Sequence, residues 1–145
     1  MDDATTVYVI EQQRYFEDLT QVAGQLAGLL VLAATGTKGD LPGHPMIEMA
    51  SRTFREAAEG VRRGRPTPPA AQHHACLLAA ADTLELALVA ACDRMGKVRG
   101  GHDIAPVLEP LRLGYGHLQR ASTLLPGFEP VSFGMGCCSA PRPTA

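Results

Sequence analysis

Between Thr6 and Thr35, apolar side chains return in steps of three, four and seven: Tyr8, Tyr15, Leu19, Val22, Leu26, Leu29 and Ala33. An α-helix advances about 100° per residue, so these steps hold the residues in one stripe. Glu11, Arg14, Asp18, Gln21 and Gln25 take the other side, which turns apolar beyond Gln25, with Val31 opposite the stripe. The spacing predicts a helix over about 6–35. Gly24 and Gly28 lie four apart on its back; glycine weakens a helix, so the pair suggests a close approach by another backbone. The turn-rich stretch "TGTKGDLPGHP" closes the segment.

A second helix starts at Pro45, a residue suited to the first helical turn. Met46, Ala50, Phe54, Ala57 and Val61 form its stripe, and it ends near Gly64. "RRGRPTPPA" then makes a stiff, basic connection. The third helix, 71–95, carries Leu77, Ala81, Leu84, Leu88, Ala91 and Met95 on one side, with Leu78, Leu86 and Val89 well away from that side. Only Asp82, Glu85, Asp93 and Arg94 are clearly water-seeking. A helix apolar over so much of its circumference is either central in its domain or pressed against a partner. In a four-helix chain every element keeps an outer side, which favours the partner.

The fourth helix follows "KVRGGHD", with Asp103 as its N-cap. Pro106 and Pro110 are tolerated if the helix begins at about residue 106 or 107, where amides lack an intrahelical acceptor. Ile104, Leu108, Leu111, Tyr115, Leu118, Ser122 and Leu125 form the expected stripe, and Gly127 the stop. No strand alternation or internal repeat is present. The pattern therefore predicts an all-α protein: an up-down-up-down four-helix bundle over 1–127, then an extended C-terminal tail, 128–145, docked through Phe128, Val131 and Phe133.

Composition narrows the class. A chain of 145 residues buries roughly 68–70% of its unfolded surface on folding, so it needs neither disulfide nor metal to be stable. Aromatics are 5% and tryptophan is absent, which leaves Leu, Val, Ala and Met to build the core. A net charge of −2 argues against nucleic-acid binding by bulk charge. The acidic start "MDDATT" is unlike a secretory signal, and the apolar run Leu26–Ala34 is shorter than the roughly 20 residues a bilayer requires. The expected location is cytoplasmic, with no membrane partner and with Cys76, Cys92, Cys137 and Cys138 as reduced thiols.

Candidate chemistry is sparse. Phosphate-loop, dinucleotide, hydrolase and HExxH signatures are absent, and no histidine follows an acidic residue by three, as a di-iron bundle requires. What remains is "HHAC", in which His73 and Cys76 lie one helical turn apart, and the adjacent pair Cys137 and Cys138 in "FGMGCCSAP". If the tail folded back, His73, Cys76, Cys137 and Cys138 would offer the sulfur and nitrogen donors that zinc or another thiophilic metal takes. Alternatively Cys137 or Cys138 would act as a thiol nucleophile beside a basic group. The competing interpretation makes His73 a partly buried stripe residue and Cys76 a small apolar filler; Cys92 is likewise expected in the core. Tyr8, Tyr15 and Tyr115 all fall on stripes and would line a small-ligand pocket between helices, or sit in the core with their hydroxyls at its rim.

Two functional expectations follow. The first is a binding or accessory protein that self-associates as a homodimer through the third helix. The second is a small enzyme or metal-binding protein whose site joins the tail cysteines to the HHAC segment.

Overall fold

The computed structural model describes residues 1–35, 43–94 and 104–129, and these form four helices and no strand. Helix α1 runs Asp3–Ala34, α2 Pro45–Arg63, α3 Ala71–Arg94 and α4 Ala105–Leu124; a 3-10 turn, Pro68–Ala70, leads directly into α3. The protein is all-α.

Local chemistry sets the boundaries. Asp2 caps α1, its carboxylate accepting from the Thr5 amide at 2.7 Å, so the helix begins earlier than the stripe implies. That hydrogen bond also lowers the Asp2 pKa. Helix α2 has Pro45 in its first turn and His44 as N-cap, with Nδ1 accepting from the Met46 amide at 3.1 Å. Its last turn carries Arg62 and Arg63, where cations meet the negative end of the helix dipole.

Helix α4 departs from expectation. The Leu108 amide donates to the Ile104 carbonyl at 2.8 Å, so the helix starts at Ala105 with Ile104 as an N-cap lacking a side-chain bond. Pro110 consequently lies inside the helix, and having no N–H it leaves the Pro106 carbonyl without its usual partner. Asp103, the expected cap, lies outside the described residues, as do His102 and Met95. The helix stops at Leu124, before Gly127, whose φ of 92° is in the region that favours glycine.

The core is mainly aliphatic. Leu19, Val22, Leu26 and Leu29 of α1 meet Ala50, Phe54, Ala57 and Val61 of α2 and Leu77, Ala81, Leu84, Leu88 and Ala91 of α3, all buried. Each large aliphatic side chain removed from water contributes roughly 1.5–3 kcal/mol. Helix α3 packs most extensively on α4, and α1 on α2, with smaller contacts joining α2 to α3 and α1 to both α3 and α4. The inward face of α4 is Val107, Leu111, Gly114, Leu118 and Ala121, not the expected stripe through Leu108, Tyr115 and Ser122. Only Leu111 and Leu118 belong to both. Gly114 explains the rotation: a Cβ there would lie 2.9 Å from Leu84 Cγ and Thr83 Oγ1, so α4 approaches α3 with its small residues. In the same way α1 meets α2 where the Tyr15 ring occupies the space a Cβ at Gly60 would need.

Candidate functional site

At the start of α3 the protein buries a polar cluster. His73 is fully buried and His74 nearly so, and both turn toward α1. The Tyr8 hydroxyl lies 3.0 Å from His73 Nδ1 and 3.2 Å from His74 Nδ1. One hydroxyl has one proton to donate, so it donates to one imidazole and accepts Nδ1–H from the other. The two neutral rings therefore carry their protons on opposite nitrogens. Gln12, one turn on from Tyr8, is also buried and donates to the Gly60 carbonyl at 3.4 Å. Thr5 Oγ1 meets Thr67 Oγ1 at 2.6 Å, which ties the connection before α3 to the same end of α1.

Phe128 seals this cluster. Its ring stacks at a tilt on His73, centroids 4.1 Å apart, and meets Phe16 edge-on at 5.4 Å. The Gly127 turn aims it there, and the Gln13 amide holds that turn by donating to the Gly127 carbonyl at 3.0 Å. The first of the expected tail anchors thus lands on the HHAC segment. Val131, Phe133, Cys137 and Cys138 lie outside the described residues.

The electrostatics of the cluster are those of a dry site. Burial, with a smaller contribution from the neighbouring imidazole, pushes the His73 pKa down from 6.5 to about 4. Burial also lowers His74 and raises the Tyr8 phenol. His73 Nε2 and Gln12 Oε1 are buried without a hydrogen-bond partner. Of His73's two nitrogens, one is engaged by Tyr8, and the ring stacks on Phe128. Cys76 is buried, as the filler interpretation has it. Among the described residues no three His, Cys, Asp or Glu side chains gather as a metal site would require.

Other candidates disperse. Tyr8 belongs to the cluster, Tyr15 lines an arginine-rich groove between α1 and α2, and Tyr115 lines a shallow crevice with Ala23, Ala27 and Leu111. The structure does not bring the three together. Cys92 is exposed and not in the core, because it lies one residue beyond the buried Ala91 and has turned out of the stripe. Partial desolvation and then Asp93 raise its thiol pKa. Asp82 and Glu85, on the water-seeking side of α3, both bind Arg62 of α2, at 3.3 and 3.0 Å.

The second feature is the outer side of α3. Leu86, Val89 and Leu113 are each more than half exposed and line one groove of about 480 Å³ between α3 and α4. Pro106 and Pro110 supply more apolar wall, and Asp93 and Glu109 are its charged residues. Among the described residues, Pro68–Asp93 is long and apolar enough to cross a membrane: an 18-residue window within it has mean hydropathy 1.8, and 44% of that window is buried in the protein. Asp82 and Glu85 sit near its midpoint, where charge is expensive in hydrocarbon. No family model matches the chain, and no curated protein or solved structure does so either.

Proposed function

We propose that this is a cytoplasmic binding or accessory protein, an up-down-up-down four-helix bundle that self-associates through the outer side of α3. One observation supports it above the others: Leu86, Val89 and Leu113 surround a single groove, each more than half exposed. Contiguous exposed apolar surface on a small protein marks an interaction site. The buried half of α3 and the Arg62 pairs with Asp82 and Glu85 favour a core helix bordered by water over a membrane span. Sedimentation velocity at tens of micromolar tests the reading. The expected result is a dimer or larger species in exchange with monomer, and a monomer at all concentrations overturns it. The metal or thiol-enzyme alternative has less support, since His73 has one nitrogen engaged by Tyr8 and packs against Phe128.

A further inference from the structure

The self-association proposed above has a direction. Besides the α3–α4 groove, the protein exposes a second apolar patch: Val7 and Ile10, one turn apart on α1, are each more than half exposed. Ile10 borders a groove of about 560 Å³ between α1 and the end of α2, and the charged residues of that groove are Arg14, Arg63 and Arg65 against the single Glu11. Arg14 and Arg63 reach Asp18 and Glu59 only at 4.0 and 3.7 Å, and both arginine side chains are largely exposed and free to re-pair, although Asp18 is partly buried. Among the described residues the α3–α4 groove has the opposite sign, its charged lining residues being Asp93 and Glu109, for neither of which an ion pair is seen with another residue whose side chain is described.

An isologous dimer would press the α3 groove against its own copy and set Asp93 and Glu109 against their symmetry mates. Like charges brought together at a desolvated rim oppose that arrangement. The α1 patch removes the conflict, because it offers aliphatic side chains for the groove and arginines for the acidic rim. We infer that a second copy of this chain docks its Val7–Ile10 patch and flanking arginines into the α3–α4 groove of the first. Such a contact is heterologous. A pair so formed keeps one free patch, on the first copy, and one free groove, on the second, so assembly proceeds to a closed ring if the rotation permits and to an open filament if it does not.

Two variants test this. Leu86→Glu/Leu113→Glu blocks the groove, and Ile10→Glu/Arg65→Glu blocks the patch; all four positions are exposed, and thermal melts by circular dichroism should match wild type. Sedimentation of wild type is expected to show species growing beyond dimer with concentration and receding as salt rises. Each variant alone should be monomeric. Mixed in equal amounts, they should form a one-to-one complex that grows no further, because one copy retains the groove and the other the patch. A patch-blocked variant that still dimerises by itself overturns the directional contact while leaving self-association standing. So does a mixture that stays monomeric while wild type associates. A monomeric wild type overturns self-association and the directional contact with it.

Discussion

From Ala71 to Leu77, α3 turns two imidazoles into the protein; from Leu86 to Asp93, it turns aliphatic side chains out to water. The first region has a local remedy for its polarity. Tyr8 meets both Nδ1 atoms, neutrality removes the charge, and Phe128 excludes water. The second has no remedy among the described residues, where no element covers Leu86 or Leu113. A buried polar group can be satisfied by a single well-placed hydroxyl, whereas an exposed apolar face is satisfied only by area. The inner region is therefore expected to govern stability and the outer region association.

The sharpest test of the inner region is Phe128→Ala. Removing a fully buried phenylalanine should destabilise the fold by about 3–5 kcal/mol in urea titrations, and wetting His73 should move its pKa back toward 6.5. A change no larger than a surface substitution would break the claim that Phe128 seals the cluster. Acid acts next. His73 titrates near 4 when folded and near 6.5 when unfolded, so between those pH values the unfolded chain binds more protons. Stability should be full above pH 6.5, fall as the pH drops toward 4, and lose about 3 kcal/mol in all from this group. An NMR titration of His73 with its midpoint near 6.5 would contradict this.

Tyr8→Phe keeps the ring and removes the hydroxyl. It should cost about 1–3 kcal/mol, because both imidazoles lose their Nδ1 partner inside the protein. At the outer region the expectation reverses. Leu86→Ser/Val89→Thr should change stability by no more than about 0.5 kcal/mol per substitution, yet reduce the sedimenting assembly to monomer. If those two substitutions unfold the protein, the division of labour between the two regions fails.

The four helices were legible because their stripes are made of large residues at helical spacing, and those of α1, α2 and α3 hold residue for residue apart from half-buried Tyr15 and Met46 and from Met95, which lies outside the described residues. Helix α4 misled for a physical reason. Its inward positions include Gly114 and Ala121, which are chosen for closeness and carry no hydrophobic signal, so Leu108 and Tyr115 drew the stripe to one side. The apolar outer side of α3 could also be read, since Leu86 and Val89 lie off the stripe whatever the packing. The Tyr8–His73–His74 cluster could not, because nothing local relates residues separated by 65 positions. Gln12 was the available signal: it stands four residues after Tyr8 and four before Phe16, a polar residue set within a buried stripe.

Phe128 also gives the protein an order of events in time. During synthesis α1, α2, α3 and α4 all emerge before it. Until residue 128 has left the ribosome, the ring that stacks on His73 is missing from the cluster. The ring that completes the cluster is thus among the last of the described residues to be translated. An imidazole that still titrates near its ordinary value would report a nascent chain that has not yet finished folding.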